Sequence, residues 1–343
     1  MKILIIRTDR IGDLILSIPV IRAIRSAYPD AFIGFIALET PGKLLKEHED
    51  INSLYLLKPD YSNFKEILEE IKFQKYSHAI TLMVDRKASW IPFLAGISCR
   101  IGPYSKILSF IKFNKGIIQK RSKSIKNEAE YNLELLDRIS IYYKDLNIED
   151  IKPFLEIKES HKLSFKNSFK KDIAESFGVI HPGMGGSALN LHKNSYLKVT
   201  HELSKKIPIY LTFGPNDNEI YKFFLNNYSK DFLINNLSIE ELAFFYSKAS
   251  FFIGPSTGPM HIAAAVQTKV FAIFSPIKVQ SSTRWAPWGN KATIISPDVT
   301  CKGKFKCIKN CTFENCLLTL KPEKIIEPVM AFLENKNIGN RSN

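Results

Sequence analysis

A chain of 343 residues is too long for one small hydrophobic core and fits two domains of average size. Its 45% apolar and 24% charged residues are typical of a globular protein and argue against disorder, and no apolar run is long enough to span a bilayer. The net charge of +14 favours a polyanionic partner: nucleic acid, an anionic membrane face or a phosphorylated substrate.

The first half of the chain alternates short apolar runs with amphipathic segments. The opening KILIIR lacks the features of a secretory signal and predicts a buried strand, so we expect a cytoplasmic protein. The polar turn TDRIGD and a helix follow, with Leu14, Ile18 and Ile21 on one face. Pro19 predicts a kink or a late start of that helix. Further strands are predicted at AFIGFIAL, NSLYLL and HAITLMV, with helices at FKEILEEIKF and over residues 127–143.

A polar, lysine-rich segment from Asn147 to about Phe169 predicts a linker, and a second series of strands and helices follows it. The chain is therefore expected to form two α/β domains, with a cleft facing the carboxyl ends of both sheets. The strands of the second domain are predicted at FGVIHP, IPIYLTF, FFIG and KVFAIFS, and its helices at NSYLKVTHELSKK, IEELAFFYSKA, STGPMHIAAAV and PEKIIEPVMAFLEN.

Basic residues are concentrated between Arg86 and Lys126, where aromatic residues are interleaved and no acidic residue occurs. Solvated faces of a lysine-rich protein would give this pattern. An anion-binding surface is favoured, because charges of both signs normally mix on protein surfaces. The basic residues are Arg86, Lys87, Arg100, Lys106, Lys112, Lys115, Lys120, Arg121, Lys123 and Lys126.

Four of the five cysteines, Cys301, Cys307, Cys311 and Cys316, lie close together near the C-terminus. Their spacing, C-x5-C-x3-C-x4-C, does not match the paired C-x2-C of common zinc ribbons. Because a cytoplasmic chain keeps its thiols reduced, a reduced local cluster is favoured over a structural metal site or a redox-active disulfide.

Asp13 stands where the first strand turns into the first helix, directly after Gly12. One interpretation is a helix N-cap, a role that Asp commonly has. The other is a carboxylate at the mouth of the cleft, which takes a proton from an acceptor hydroxyl. Gly12 would let the backbone approach a substrate closely. The pattern alone leaves both interpretations open.

The turn PGMGGS, Pro182 to Ser187, follows a predicted strand and precedes a helix. Its small residues would expose backbone amides that can bind a phosphate, although a tight turn without a ligand is equally compatible. The turn matches neither a Walker sequence nor a dinucleotide-binding fingerprint.

The turn GPSTGPMHIAAA, Gly254 to Ala265, also joins a strand to a helix. Thr257 and Gly258 can offer a hydroxyl and an amide to a diphosphate. His261 lies about one turn inside the helix. It is either a hydrogen-bonded structural residue or, when protonated, a partner for a departing phosphate.

Together these segments resemble the bacterial heptosyltransferases of lipopolysaccharide core assembly, glycosyltransferase family 9. The matching segments are IIRTDRIGDLILSIPVIRAIRSAYP, RIGPYSK, HPGMGGSALN, GPSTGPMHIAAAV with RWAPWGN, and the cysteine cluster before LTLKPEKI. They occur in the family's order and cover nearly the whole chain.

The resemblance implies an α/β GT-B fold: two Rossmann-like, doubly wound domains that face each other across a cleft. Residues 1–160 would bind the acceptor and residues 161–343 the nucleotide-sugar. The resemblance makes Asp13 the catalytic base, Asp217 a contact of the nucleoside and Leu237 an apolar neighbour of the adenine. The expected donor-binding residues are Gly12, Gly183, Gly185, Gly186, Ser187, Lys193, Asp217, Leu237, Ser256, Thr257, Gly258, Pro259 and His261.

Two departures from the family pattern affect the donor site. The family often has Lys or Arg two residues before a Trp in the phosphate loop, where this chain has Leu189 and Leu191; we expect Lys193 to supply the charge. Ser256 replaces an Asp that many members carry before the Thr-Gly pair. Both departures therefore bear on which sugar nucleotide binds and not on the reaction type.

The resemblance implies an inverting transfer from ADP-heptose, or a related nucleotide-sugar, to an anionic lipid-linked saccharide of the lipopolysaccharide inner core. No metal or other cofactor is expected, and the protein is predicted to be a monomer, peripheral on the inner face of the cytoplasmic membrane. The expected acceptor-binding residues are Arg10, Arg86, Lys87, Arg100 and Lys106.

Three alternatives remain open. The first is an enzyme of the same fold with another donor sugar, and the second is a non-catalytic protein that binds nucleotide-sugars. The third is a nucleic-acid binder that uses the basic stretch, which is disfavoured because it leaves the two turn motifs unexplained.

Overall fold

The computed structural model describes residues 1–105, 108–170, 172–186, 189–299, 301 and 316–339. Lys106, Ser187, Cys307 and Cys311 lie outside these residues. The chain forms two compact units, Met1–Lys158 and Glu159–Asn343. Within the described residues each unit is built around a six-stranded parallel sheet with helices packed on it, so the prediction of doubly wound α/β domains is confirmed.

The sheet of the first unit has the strand order β3-β2-β1-β4-β5-β6. Its central strand β1 buries every residue from Ile3 to Arg7, as expected for a parallel strand covered on both faces. The strands are β1 (Lys2–Arg7), β2 (Phe32–Leu38), β3 (Ser53–Leu57), β4 (His78–Thr81), β5 (Cys99–Pro103) and β6 (Lys115–Ile117). The helices are α1 (Ile11–Ile15), α2 (Ile18–Ala27), α3 (Glu39–Gly42), α4 (Phe64–Gln74), α5 (Ile91–Leu94), α6 (Ser109–Lys112), α7 (Glu128–Leu133) and α8 (Ile148–Ile151).

The sheet of the second unit repeats this arrangement, in the order β12-β11-β10-β7-β8-β9. Its strands are β7 (Gly178–Ile180), β8 (Ile209–Thr212), β9 (Leu233–Ile234), β10 (Phe251–Pro255), β11 (Lys269–Ile273) and β12 (Thr293–Ile295). Its helices are α9 (Glu159–Ser168), α10 (Lys193–Ser204), α11 (Asn218–Leu225), α12 (Ile239–Lys248), α13 (Gly258–Ala265), α14 (Ser282–Trp285) and α15 (Glu323–Gly339).

The first helical segment is divided in two near Pro19. The one-turn helix α1 ends at Ile15, and α2 begins at Ile18 with Pro19 in its first turn. A proline is tolerated there because the first amides of a helix have no intrahelical partner. The predicted late start is therefore confirmed. Arg10 is the N-cap of α1 and Asp13 lies inside the first turn, so the N-cap interpretation of Asp13 is wrong.

Two predicted segments differ from the structure. The helix expected over residues 127–143 is α-helical only to Leu133 and continues as a 3-10 helix to Ile139, after which Ser140 has φ 60°. The predicted linker contains α8 and α9. Phe165 of α9 packs on the rings of Phe244 and Phe245, with centroids 5.3 and 5.7 Å away, so α9 belongs to the second unit.

None of the described helices combines the length and the apolar composition that are needed to cross a bilayer.

Candidate active site

The turn that carries Asp13 follows the central strand of the first unit. From β1 the chain continues to β2 and β3 on one side of the sheet, and later returns to β4, β5 and β6 on the other. The carboxyl ends of β1 and β4 therefore form the topological switch point, where ligands bind in open α/β sheets. The amide of Leu82 donates to the carbonyl of Ile6 over 3.0 Å, so the segment after β4 starts beside the segment after β1.

Arg7, the last residue of β1, has a side chain only 1% exposed and binds three carboxylates. Its Nε donates to Oδ1 of Asp9 over 2.7 Å, and Nη2 donates to Oδ1 of Asp13. Both terminal nitrogens lie 3.2 Å from Oε1 of Glu128, the first residue of α7. A planar guanidinium can hold several carboxylates in a fixed geometry, so Arg7 orients the Asp13 side chain.

Two further side chains of the same unit complete this network. Arg121 Nη1 lies 2.5 Å from Oε1 of Glu128, which therefore accepts from two guanidinium groups. Oδ1 of Asn132 accepts from Arg7 over 3.1 Å, and its Nδ2 donates to the carbonyl of Leu16 over 3.1 Å. The side chains of α7 thus hold the junction of α1 and α2 in place.

The network gives Asp13 a perturbed acidity. Burial raises the pKa of Asp13 to about 6; Arg7 lowers it, while the negative charges of Asp9 and Glu128 raise it further. Burial also raises the pKa of Asp9. Although burial alone would lower the pKa of Arg7, the three carboxylates raise it, and the guanidinium stays protonated. The Asp13 side chain keeps 14% of its surface exposed.

The predicted acceptor-binding residues do not all lie together. Arg10 is exposed at the start of α1, and Arg86 and Lys87 are exposed in the segment after β4, at the switch point. Arg100 lies near the amino end of β5, in register with Ala79 of β4. Its guanidinium donates to the carbonyls of Ile97 and Lys112 over 2.8 and 2.9 Å, so the structure does not bring it to the edge that carries Asp13.

In the second unit, the loops after β7 and β8 meet at Gly183 and Asp217. A Cβ atom on Gly183 would overlap the carboxylate of Asp217, so only glycine fits this corner. Oδ2 of Asp217 accepts from the amide of Gly214 over 2.7 Å. Asp217 is buried, with 8% exposed. The structure therefore places this predicted nucleoside contact in the wall of the loop, directly behind the glycine turn.

His181 lies beside this corner, at the end of β7. Its Nε2 is 3.7 Å from Oδ2 of Asp217, and its Nδ1 is 3.1 Å from Oγ1 of Thr212. Burial lowers the pKa of His181 to about 4, against the opposite effect of Asp217. The ring is therefore neutral at physiological pH, and its hydrogen bond to Thr212 joins the end of β7 to the end of β8.

The second predicted phosphate turn follows β10, the neighbour of β7 in the sheet. Thr257 is the N-cap of α13, Gly258 is its first residue and Pro259 lies in its first turn. The Thr257 side chain caps no amide of the helix; its hydroxyl donates to the carbonyl of Pro255 over 3.3 Å. The amides of the first turn, and the half-buried Ser256 before them, lie at the carboxyl edge of this sheet, next to the glycine turn.

His261 of α13 is 97% buried, since only 3% of its surface is exposed. Its Nδ1 atom has no hydrogen-bond partner among the described residues. Burial lowers the pKa of His261 to about 4. The ring is therefore neutral at physiological pH, and the interpretation that requires a protonated His261 is disfavoured by its environment.

The remaining donor-site residues lie at the ends of other elements of the second unit. Lys193 is the exposed first residue of α10, and its Nζ lies 4.8 Å from the ring centroid of Phe223. Leu237 is half-buried in the loop after β9. Gly185 and Gly186 are exposed, and Gly186 has φ 73°. Leu191 packs into the hydrophobic core, so Leu191 offers no group to a phosphate.

Residues of these sites that were not singled out by the sequence include Arg7, Asp9, Glu128, Asn132 and His181. Arg7 is the last residue of β1 and His181 directly follows β7, and a polar side chain at the end of an apolar run was a usable signal. Glu128 and Asn132 appear in the sequence as the polar face of a helix. No group of three or more His, Cys, Asp or Glu side chains that could hold a metal ion occurs among the residues that the structure describes.

Comparisons with known proteins agree with this architecture. The sequence profile of glycosyltransferase family 9 (heptosyltransferase) matches residues 65–316. The chain is 27% identical to a lipooligosaccharide heptosyltransferase 2 of Campylobacter jejuni, over 98% of this chain and 100% of that protein.

Two solved structures share the fold. The ADP-heptose lipopolysaccharide heptosyltransferase II of Escherichia coli superimposes with a TM-score of 0.80 at 20% identity, covering 98% of this chain and 100% of that one. A family 9 glycosyl transferase from Veillonella parvula also gives a TM-score of 0.80, at 17% identity and 97% coverage of both chains. The GT-B fold class is thereby confirmed. With a family profile that matches most of its length, the chain belongs to glycosyltransferase family 9, the heptosyltransferases, and is a glycosyltransferase.

Proposed function

We propose that this chain transfers a heptose from ADP-heptose to an anionic, lipid-linked saccharide of the lipopolysaccharide inner core. The reaction is a single displacement that inverts the anomeric carbon. Asp13 takes the proton of the acceptor hydroxyl while that oxygen forms a bond to the anomeric carbon. The bond from this carbon to the diphosphate breaks, and ADP leaves with the electron pair.

The observation that carries this proposal is the environment of Asp13. Its carboxylate is partly exposed at the carboxyl end of β1, it is oriented by Arg7, and burial raises its pKa to about 6. A carboxylate with this pKa is ionised at neutral pH and is more basic than an ordinary Asp. These are the properties of a general base that works near neutrality.

The donor occupies the second unit in this proposal. The amides of Gly258 and the first turn of α13, with Thr257 and Ser256, hold the diphosphate, because the start of a helix favours negative charge. The glycine turn, Gly183 to Ser187, contributes further amides. Lys193 supplies a positive charge.

Three other side chains of the second unit complete the donor site. His261, neutral at this pH, offers a hydrogen bond rather than a charge. Leu237 contacts the adenine. Asp217, whose carboxylate lies next to Gly183, contacts the nucleoside.

The acceptor lies against the first unit. Arg10, Arg86 and Lys87 are exposed near Asp13 along the carboxyl edge of the sheet, and they bind the acidic groups of the saccharide. Because such an acceptor is anchored in a lipid layer, the enzyme works at the inner face of the cytoplasmic membrane.

The test compares the wild-type chain with Asp13→Asn in transfer from ADP-heptose to inner-core saccharide. General base catalysis contributes about 10²–10⁴-fold, so Asp13→Asn should lose turnover by that factor while ADP-heptose still raises its melting temperature. Asp9→Asn is the matched control, because Asp9 contacts the same guanidinium, and it should lose less. Near-normal turnover of Asp13→Asn would show that Asp13 is not the general base.

The donor is tested separately by the rise in melting temperature that each nucleotide-sugar causes. ADP-heptose should stabilise the chain more than UDP-N-acetylhexosamines or nucleoside diphosphate hexoses do. If one of these stabilised the chain more strongly, it would be the donor in place of ADP-heptose, and the proposed reaction type would be unchanged. Stabilisation without transfer or slow hydrolysis of any donor would indicate a binding protein.

A further inference from the structure

Large apolar side chains are exposed on two neighbouring short helices of the first unit. We call this set the α5–α6 surface: Phe93, Leu94, Leu108, Phe110 and Ile111, whose exposed fractions are 43%, 46%, 57%, 60% and 52%. Single exposed apolar residues are ordinary on protein surfaces, but a group of this size indicates an interaction surface.

The two helices form one continuous surface, joined by specific contacts. The Arg100 guanidinium lies 5.4 Å from the ring centroid of Phe93 and donates to the carbonyl of Lys112, the last residue of α6, over 2.9 Å. Lys112 Nζ lies 4.8 Å from the ring centroid of Trp90, which in turn packs edge-on against Phe93. At the other end of α6, Phe110 stacks on Tyr104 with a centroid distance of 4.3 Å.

The charged residues next to this surface in the sequence are basic. Arg86 and Lys87, which precede α5, and Lys115, which follows α6, are all exposed, and the sequence from Arg86 to Lys126 contains no acidic residue. The carboxylate that precedes this stretch, Asp85, makes hydrogen bonds within the protein. It accepts from the amides of Lys87 and Ala88 and from the hydroxyl of Tyr61.

We propose that the α5–α6 surface docks on an anionic lipid bilayer. The apolar side chains enter the headgroup region and Lys115 lies against lipid phosphates, while Arg86 and Lys87, which bind the acidic groups of the acceptor, add positive charge at the border of the surface. Apolar side chains flanked by lysine and arginine are the combination that binds such interfaces. A second copy of this chain fits the surface less well, because the copy would bring equal positive charge against it. The inference deepens the proposed function, since it states where the lipid-linked acceptor is met.

The experiment is sedimentation of the full-length protein with vesicles, without donor or acceptor. The wild type should bind phosphatidylcholine vesicles that contain phosphatidylglycerol, should not bind pure phosphatidylcholine, and should be released by added salt. The double variant Phe110→Asp/Ile111→Asp should bind about tenfold more weakly or worse. It removes apolar area that the bilayer would bury, and it adds negative charges that the lipid phosphates repel. The control is Phe73→Asp on α4, where an 84% exposed Phe lies outside the surface; it should bind as the wild type does.

Other results would contradict docking on a bilayer. Equal binding by the double variant and the control would overturn the proposal, as would absence of binding to the anionic vesicles. A wild type that is dimeric by light scattering and fails to bind vesicles, with a monomeric double variant, would assign the surface to a second copy instead. Unchanged melting temperatures would show that the variants fold.

The test is also independent of the proposed transfer. Asp13→Asn should bind vesicles as well as the wild type, and the double variant should keep turnover on a water-soluble acceptor fragment. Failed transfer with intact docking would therefore count against the proposed function alone, and failed docking with intact transfer against this inference alone.

Discussion

The guanidinium of Arg7 donates from both terminal nitrogens to Oε1 of Glu128, each over 3.2 Å, although the two residues are 121 positions apart. The same guanidinium holds Asp13. Glu128 therefore acts on Asp13 through a shared cation, and it adds negative charge to a site that already contains two aspartates. The basicity of Asp13 depends in this way on α7, a helix far away in the chain.

Replacing Glu128 with Gln should move the acid limb of the pH dependence of kcat/KM to lower pH. The wild-type limb should lie near pH 6, where Asp13 takes up a proton and stops acting as a base. Removing the negative charge of Glu128 leaves Arg7 and Arg121 less neutralised, so the pKa of Asp13 falls. The pH profile should be measured from below pH 5 to above pH 8 with both proteins.

Glu134→Gln is the matched control for that experiment. Glu134 lies on the 3-10 helix that follows α7 and pairs with Lys126; it is joined to Arg121 through Gln119, so it is more remote from Arg7 in the network than Glu128 is. Removing the negative charge of Glu134 should leave the acid limb of the pH profile at the same pH. An unchanged limb in Glu128→Gln would show that Glu128 does not tune Asp13.

Arg7→Met should destabilise the protein by about 3–5 kcal/mol, the usual effect of removing one partner from a buried ion pair. The carboxylates of Asp9, Asp13 and Glu128 would then lie near one another without the positive charge of Arg7. Adding Glu128→Gln to Arg7→Met should recover part of the loss. The free energy of unfolding in urea measures both effects, and strictly additive losses would contradict the coupling.

Asp13→Asn should be more stable than the wild type at neutral pH. The pKa of Asp13 in the folded protein is about 6, above that of an unfolded Asp, so its ionised form costs stability at pH 7. The neutral amide avoids this cost, which is roughly 1–3 kcal/mol. The advantage should shrink as the pH falls through 6, because the wild-type carboxyl then becomes protonated.

Thermal unfolding of the two proteins at pH 7.5 and pH 5 measures this difference. A variant that is less stable at pH 7.5 would show that the attraction to Arg7 outweighs the cost of burial. Asp30→Asn serves as the control for the substitution itself, because Asp30 is exposed on the surface of the same unit.

Gly183→Ala should destabilise the protein without ligand by about 1–3 kcal/mol, as overpacked positions do. Its new methyl group would overlap the carboxylate of Asp217, which is tied to the amide of Gly214. Gly185→Ala is the control in the same loop, because a Cβ atom there meets nothing within 4 Å. Equal unfolding free energies for the two variants would show that the loop relaxes around Asp217.

The strands and the first helix could be predicted because their signals are local. The run KILIIR became β1 and AFIGFIAL became β2, since continuous apolar runs suit a strand that is covered on both faces. Pro19 marked the start of α2 because its missing amide is tolerated only in the first turn. The position of Asp13 at the end of β1 followed from these two elements.

The rest depended on contacts that a sequence does not display. Helix α9 has a polar, weakly periodic sequence, and it is held by Phe165 on α12 and by two serines that donate to Glu241. The pairing of Arg7 with Glu128 joins positions that no local pattern relates. The burial of Asp217 was also hidden, because a polar residue in a turn is normally expected to be exposed.

The Arg7–Glu128 contact also sets the order in which the first unit can be completed during synthesis. A chain that has left the ribosome only as far as β5 contains Arg7 and its near partners Asp9 and Asp13, but not Glu128 and Asn132 of α7. Closing the packing around the sheet at that stage would bury Nη1 of Arg7 without the two side-chain oxygens to which it donates. The amino-terminal half can therefore reach its final packing only after α7 has been synthesised.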